Sequence, residues 1–344
     1  MTTFLEVVKH SFANKHTDIH VKHGSAIFYR KGGRIFRDVD INVPADELGD
    51  LILSTLNPVQ RELLERNRKV DYAVQPFPEV RVRGNAYYQR KTLGAAYRII
   101  PMKVPTLDEL QIPSVAKDFA LRPRGLVLVA GPSGAGKTTT AAAMVSEINR
   151  CAKRHIITIE DPIEYVFKED QSIITQRELG TSTLSFHQGL KGALREDPDV
   201  VFIGEMRDLP TFQTGITMAE TGHLVIATVQ SIGAAETVDR IVNMFPPMQQ
   251  EQMRTQLSLN IQGVISQFLL PTPDGHGMVA ACEVLNPTFA LRALIRKGEV
   301  SKIKGAMETS VRDGCLPIRM SLDNMVKAGR ISEATMKNTL AFLH

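Results

Sequence analysis

The chain has 344 residues, of which 43% are hydrophobic and 23% charged, close to the averages of globular proteins. This composition excludes a fibrous repeat and a largely disordered chain, and the length predicts two domains with room for a small extra subdomain. The formal net charge is only +4 with both signs interspersed, so the chain lacks the concentrated positive field of a dedicated nucleic-acid binder.

The N-terminal part, residues 1–101, is predicted to be a small α+β domain. Residues 26–36 are typical of a hairpin that turns at Gly32 and Gly33, and residues 79–89 alternate apolar and arginine side chains as a half-buried strand does. The leucines of Asp46–Asn67 recur at helical spacing, and a further strand over Ala95–Ile100 ends at Pro101. The proline-interrupted residues 102–123 predict an interdomain linker.

From Gly125 onward, apolar strands alternate with amphipathic helices, which is typical of a parallel sheet flanked by helices. The pattern predicts strands at 126–130, 155–159, 200–203 and 224–229, and helices at 136–150, 185–195, 209–220 and 234–244. We expect an α/β core domain over residues 124–270. A helical subdomain should follow over 271–344, with breaks at Gly298, Gly305, Gly314 and Gly329.

Cysteine placement and hydropathy bear on where the protein works. The three cysteines, Cys151, Cys282 and Cys315, have no paired spacing, so a reducing cytoplasm fits best. No apolar run approaches the roughly 18 residues that a membrane-spanning helix needs. We therefore expect any membrane association to be peripheral.

The segment GPSGAGKT, residues 131–138, matches the phosphate-loop pattern G-x-x-x-x-G-K-[ST] between an apolar strand and a helix. Backbone N–H groups of such a loop converge on phosphates, Lys137 reaches the β- and γ-phosphates, and the Thr138 hydroxyl ligates Mg²⁺. An ordinary glycine-rich turn is the alternative, and the lysine and threonine disfavour it. The motif predicts an α/β P-loop protein that binds ATP and Mg²⁺ through Gly131, Pro132, Ser133, Gly134, Ala135, Gly136, Lys137, Thr138 and Thr139.

Acidic residues follow two of the predicted strands. Glu205 comes just after strand 200–203, where P-loop proteins present a metal and water site, but Gly204 stands where many such enzymes carry aspartate. The acidic segment Thr158–Glu164 is expected to complete the site. We predict Thr138, Glu205 and Glu160 as metal ligands. A solvated acidic loop with salt bridges is the alternative for the second segment.

These segments together resemble the PilT-type type IV pilus retraction ATPases, within the larger family of secretion and pilus motor ATPases. The resemblance covers nearly the whole chain. It rests on the phosphate loop and on residues 158–164, 193–199, 204–208 and 219–224, with weaker support from 16–20, 81–85 and 290–296. Assembly and type II secretion relatives commonly carry paired CxxC motifs, and their absence here favours the retraction branch.

The resemblance implies a RecA-like P-loop ATPase core, a smaller PAS-like N-terminal domain and a helical C-terminal tail. It implies a cytoplasmic homo-hexamer that hydrolyses ATP to drive pilus retraction and twitching motility. The expected partner is an inner-membrane platform protein, through which the motor is peripheral to the membrane. A paralogous retraction ATPase is a further candidate partner. No nucleic-acid partner is expected.

The resemblance also implies catalytic roles. Glu164 would polarise the attacking water and Glu205 would act through Mg²⁺, although the reverse allocation stays open. Arg81, Arg83 and Arg98 match positions that place arginine near the phosphates, and Arg83 is the one expected to be catalytic. A planar guanidinium suits oxyanion recognition. The alternative is that these arginines form a solvent-facing basic stripe.

Two further positions concern coupling. His223 lies in the family's Thr-Gly-His box and is expected to link nucleotide state to conformation; a buried structural histidine is the alternative. Gln230 replaces a histidine that relatives carry at this strand tip and is expected to act as a γ-phosphate sensor, unless it simply faces solvent. Lys297 replaces an acidic residue of the C-terminal motif.

Two competing functions remain after this comparison. Gln230 and Lys297 leave room for an auxiliary paralogue that binds ATP but assists another motor by protein contact. A RecA-like core also serves nucleic-acid translocases, although the low net charge and the lack of a basic and aromatic stripe disfavour that class.

Overall fold

The structure is a computed structural model that describes residues 2–31, 34–37, 41, 43–275 and 277–343. The chain forms two compact units. The first comprises Met1–Lys103 together with Pro162–Val166, and the second comprises Val104–Asp161 together with Phe167–His344. The finer division at residues 101, 123 and 270 stays a prediction.

The first unit is built on one antiparallel sheet with the strand order β3-β2-β1-β6-β5-β4. One face carries the core side chains of this unit, among them Ile19, Tyr29 and Tyr97. Its elements are α1 (Phe4–Ala13), β1 (Asp18–Lys22), β2 (Ile27–Lys31), β3 (Arg34–Phe36), α2 (Leu48–Ser54), α3 (Pro58–Asn67), β4 (Lys69–Phe77), β5 (Val80–Gln89) and β6 (Thr92–Pro101).

The helices over residues 46–67 and the β2–β3 hairpin correspond to two of the sequence-based predictions. The helical pattern of Asp46–Asn67 forms two helices rather than one. Asn57 caps α3 because its side chain accepts a hydrogen bond from the backbone N–H of Gln60 at 2.8 Å. Pro58 is the first residue of that helix. The strands β2 and β3 pair as the hairpin that the pattern predicts, while the turn at Gly32 and Gly33 lies outside the described residues.

The second unit contains a seven-stranded sheet in the order β13-β12-β7-β11-β10-β8-β9, in which β13 is antiparallel to β12 and every other neighbouring pair is parallel. Its strands are β7 (Gly125–Ala130), β8 (His155–Glu160), β9 (Ile173–Glu178), β10 (Val200–Ile203), β11 (Leu224–Val229), β12 (Ile261–Pro271) and β13 (Met278–Leu285). Its helices are α4 (Val115–Ala120), α5 (Lys137–Cys151), α6 (Phe186–Ala193), α7 (Leu209–Glu220), α8 (Ala234–Asn243), α9 (Pro247–Asn260), α10 (Phe289–Lys297), α11 (Val300–Thr309), α12 (Ile318–Lys327) and α13 (Glu333–Leu343), with a short 3₁₀ helix at Val311–Asp313.

Burial on both faces explains the central strands. Every residue of β7, β10 and β11 is buried, as expected for parallel strands covered by helices on both sides. Leu128 packs into the core on one face, whereas Val127 and Val129 pack into the core on the other. Because these strands are parallel, the carboxyl ends of β7, β11, β10 and β8 lie side by side at one edge of the sheet.

The C-terminal helices follow the predicted breaks with one exception. Gly298 ends α10 in the left-handed conformation, with φ of 72°. Gly305 instead lies inside α11, so the predicted break there is wrong. A glycine within a helix costs only about 1 kcal/mol relative to alanine, which flanking residues can offset. Among the described residues, no helix is both long and apolar enough to cross a membrane.

Candidate nucleotide-binding site

The phosphate loop connects β7 to α5, in the strand-loop-helix context that the sequence predicts. Gly134 and Gly136 adopt φ of 77° and 81°, a conformation that favours glycine. Gly131 has φ of 153°, and a β-carbon there would lie 2.5 Å from the Gln267 carbonyl oxygen. A side chain at Gly131 would therefore clash with Gln267, and a side chain at Gly136 would strain the loop backbone.

Lys137 is the first residue of α5 and is buried. Its Nζ donates a hydrogen bond to the Pro132 carbonyl oxygen at 2.8 Å. Thr138 and Thr139 follow in the first turn of the helix, partly buried. Because the first N–H groups of a helix lack partners within the helix, this terminus attracts anions, and Lys137 adds a positive charge beside it.

The neighbouring strand ends bring three more of the predicted residues to the same edge of the sheet. Gln230 directly follows β11, which pairs with β7 through Val229 and Ala130, and its side chain is exposed. Glu205 lies two residues beyond β10, and Glu160 is the last residue of β8. The order of the strands thus places the sensor candidate between the phosphate loop and the acidic groups.

The two carboxylate oxygens of Glu205 differ: one accepts a hydrogen bond, and the other has no hydrogen-bond partner among the described residues. Its Oε2 accepts a hydrogen bond from Arg207 Nε at 2.6 Å, and this bond raises the pKa of the Arg207 guanidinium. Its Oε1 is buried and has no hydrogen-bond partner among the described residues. A buried carboxylate oxygen of this kind suits Mg²⁺, which prefers oxygen ligands.

The described residues contain no group of three or more His, Cys, Asp or Glu side chains that could hold a metal ion. Mg²⁺ in nucleotide sites is usually held by one or two protein oxygens together with phosphates and waters. The donor set of Glu205 and the Thr138 hydroxyl fits that pattern.

Glu160 is almost fully buried and is held inside the sheet edge. Its Oε1 accepts hydrogen bonds from the Thr158 hydroxyl at 2.7 Å and from Gln176 Nε2 at 3.3 Å. The backbone of Gly204 passes so close that a β-carbon there would lie 3.1 Å from the Glu160 α-carbon. A side chain at position 204 would require the Glu160 backbone to shift slightly, which favours glycine there.

The predicted arginines lie in the first unit, on the sheet face opposite its core. Arg83 of β5 stands directly opposite Arg98 of β6. Arg98 is bound to Asp18 by an ion pair of 3.0 Å, and Arg83 Nη1 lies 3.9 Å from Glu164 Oε1. Arg81 lies two residues before Arg83 on the same face and is partly buried. The structure therefore groups Glu164 with these arginines, in the segment Pro162–Val166 of the first unit.

His223 is not brought to the phosphate loop. It precedes β11, so that strand of six residues, about 20 Å long, separates it from Gln230. Its Nδ1 lies 2.9 Å from the Met218 carbonyl oxygen, and its own carbonyl accepts a hydrogen bond from Gly125 at the start of β7. Its role in coupling stays a prediction and requires action over that distance.

A cavity of about 480 Å³ borders the phosphate loop within the second unit. Small-molecule ligands commonly occupy cavities of about 300 to 1,000 Å³. Its lining residues come from the loop, from β12 and from α13, among them Ser133, Gly134, Phe268, Thr339 and Phe342.

Sequence reasoning missed Gln267, whose Nε2 donates a hydrogen bond to the Ala135 carbonyl at 2.6 Å. No motif contains it. It reaches the loop from β12, which the apolar pattern did not predict as a strand. Only the neighbouring positions of β12 and β7 in the sheet bring the two residues together.

Comparison with known proteins finds relatives that match most of this chain. The family described as type II/IV secretion system protein matches residues 105–313. A twitching motility protein of Neisseria gonorrhoeae is 45% identical over 295 residues, covering 85% of this chain and 79% of the relative. The type IV pilus retraction ATPase PilT of Pseudomonas aeruginosa is 41% identical over 319 residues, covering 92% of each chain.

The fold is likewise matched by solved structures. The crystal structure of the pilus retraction motor PilT with bound ADP superposes with a TM-score of 0.88 at 40% identity, covering 98% of this chain and 96% of that one. The predicted fold class and the resemblance to PilT-type ATPases are therefore confirmed. The chain belongs to the family of type II/IV secretion system proteins.

Proposed function

We propose that the protein is an ATP hydrolase that works as a subunit of a homo-hexameric motor and drives retraction of a type IV pilus. The observation that carries this proposal is the phosphate loop, with buried Lys137 at the start of α5. The resemblance to PilT over nearly the whole chain supports pilus retraction as the mechanical task.

The residues of the second unit supply binding and charge stabilisation. Lys137 exchanges the Pro132 carbonyl for the β- and γ-phosphates, and the loop N–H groups bind the remaining phosphate oxygens. The Thr138 hydroxyl and Glu205 would hold Mg²⁺, which would supply positive charge to the phosphates. The side-chain amide N–H of Gln230 donates a hydrogen bond to a γ-phosphate oxygen.

The residues of the first unit are proposed to act in the assembled motor. Glu164 polarises the attacking water, and Arg83, supported by Arg81 and Arg98, stabilises charge on the transferred phosphoryl group. A guanidinium that contributes only at one stage of the cycle would couple hydrolysis to movement. The resemblance to PilT-type motors motivates this assignment.

We further propose that the motor is cytoplasmic and reaches the inner membrane through a platform protein. A paralogous retraction ATPase is a candidate second partner. No nucleic acid is required, which agrees with the low net charge of the chain.

Two measurements test the proposal. The mass of the native protein in ATP should correspond to a six-subunit species, and expression of the chain should restore pilus retraction in a deletion strain. A fully active monomer would contradict the ring. Failure to restore retraction, with negligible turnover of the isolated protein, would favour an auxiliary paralogue. Strongly salt-dependent stimulation of ATPase activity by DNA would favour a nucleic-acid translocase.

A further inference from the structure

Gln267 contacts the phosphate loop from the neighbouring strand. In β12, Ser266 pairs with Ala130, the last residue of β7, so Gln267 lies just beyond that strand and beside the loop. Its side chain is 1% exposed. The backbone carbonyl oxygen of Gln267 lies against Gly131. Its side-chain nitrogen, Nε2, would be 3.2 Å from a β-carbon on Gly136. One residue thus meets both ends of the glycine-rich turn.

The side-chain amide also holds the backbone just before Gly136. Gln267 Nε2 donates to the Ala135 carbonyl at 2.6 Å. The Pro132 carbonyl also accepts a hydrogen bond from a side chain, that of Lys137, whose Nζ lies 2.8 Å away. When Lys137 turns to a phosphate, that second contact is lost. The contact from Gln267 does not involve the phosphate, so it can hold the loop in place before nucleotide binds.

Packing alone does not account for an amide at this position. A carbonyl oxygen can only accept, so Nε2 must face Ala135 and Oε1 must point away. Oε1 is buried and has no hydrogen-bond partner among the described residues. A methionine would fill a similar volume without an unsatisfied acceptor. The hydrogen bond to Ala135 is the contribution that a methionine could not make.

We propose that Gln267 is a positioning residue that holds the phosphate loop in its nucleotide-binding conformation through the Ala135 carbonyl. The inference rests on the proposed nucleotide site. Without the contact, the free loop can populate other conformations and must reorder when nucleotide binds, which lowers affinity. Once nucleotide holds the loop, the chemical step should be little affected.

The test measures MgADP binding by calorimetry and ATP turnover of the full-length protein. Gln267→Met removes the donor, and we expect its Kd for MgADP to rise about three- to tenfold, the range for one lost hydrogen bond, with kcat within about twofold of wild type. Gln267→Glu places a carboxylate against the carbonyl at pH 8 and should bind more weakly still. Its protonated form can donate, so the ratio of its Kd to the wild-type Kd should fall as the pH is lowered toward 6.

Gln262 provides the matched control because it lies at the other end of β12, against Gly125. Gln262→Met and Gln262→Glu should keep the wild-type Kd. Wild-type affinity in both Gln267 variants would overturn the inference, as would equal losses in the Gln262 variants or a lower kcat at unchanged Kd. If the wild type itself fails to bind MgADP, the proposed function falls and this inference with it.

Discussion

Arg83 and Glu164 form a loose ion pair, with Nη1 and Oε1 3.9 Å apart and both side chains partly exposed. The two groups proposed for charge stabilisation and water activation therefore hold each other in this structure. A loose, partly exposed pair is worth little to stability. Its partners can separate at small cost when another charge competes for the arginine.

Arg83→Ala should lower kcat by about 10² or more while changing nucleotide affinity little, because the guanidinium is proposed to act on transition-state charge. Steady-state kinetics and ADP titration measure the two effects. Arg30→Ala is the control, since Arg30 lies on the same sheet and pairs with Asp18 at 3.8 Å without an assigned role. A loss of affinity at unchanged kcat would reduce Arg83 to a ground-state binding residue.

The two acidic groups can be told apart by their dependence on Mg²⁺. Glu205→Gln should raise the Mg²⁺ concentration required for half-maximal activity, because Glu205 Oε1 is the proposed ligand. Glu164→Gln should lower kcat by about 10² or more at a normal Mg²⁺ requirement, as loss of a group that activates water does. The reverse pattern would exchange the two roles.

Gln230 should make the enzyme insensitive to pH in a range where a histidine would titrate. An amide gains no proton between about pH 5 and 8, so the wild type should show a flatter pH–rate profile than Gln230→His. Gln230→Ala should still bind nucleotide but hydrolyse it slowly. If Gln230→Ala matches the wild type in kcat, KM and pH dependence, the exposed glutamine simply faces solvent.

The buried Glu283 of β13 predicts a pH-dependent contribution to stability. Burial raises the pKa of its carboxyl, the nearby Glu236 raises it further, and the Ala234 N–H and Lys304 oppose that shift. Its stabilising contribution is therefore fully present below the unfolded-state pKa and is lost as the pH rises through the folded-state pKa. Glu283→Gln cannot ionise, so its Tm relative to wild type should increase between about pH 4 and 8. A constant or falling difference would contradict this.

The central strands were predictable because their residues are buried on both faces. Continuous apolar runs identify β7, β10 and β11 to within one residue. The edge strand β9 escaped because its two isoleucines, Ile173 and Ile174, are followed by four polar residues, which do not form an apolar run. The strand β12 escaped because it begins directly after α9, with no turn residue between Asn260 and Ile261.

The site shows a similar division. The loop residues Gly131 to Thr138 could be predicted from their spacing because they are consecutive in the chain and lead directly into the helix. The contact of Gln267 with Ala135 joins residues 132 positions apart and depends on the order of strands. The position of Glu164 beside Arg83 likewise arises from tertiary packing, which no spacing rule contains.

The most direct test of the central claim is the ATPase activity of Lys137→Ala. The control is Lys153→Ala, because Lys153 is exposed and lies just beyond α5. Removal of the charge from the β- and γ-phosphates should reduce turnover by about 10² or more. The melting temperature and circular dichroism should remain those of a folded protein, and Lys153→Ala should retain wild-type activity. Near-normal ATP hydrolysis by folded Lys137→Ala would contradict the assignment of this loop as the catalytic nucleotide site.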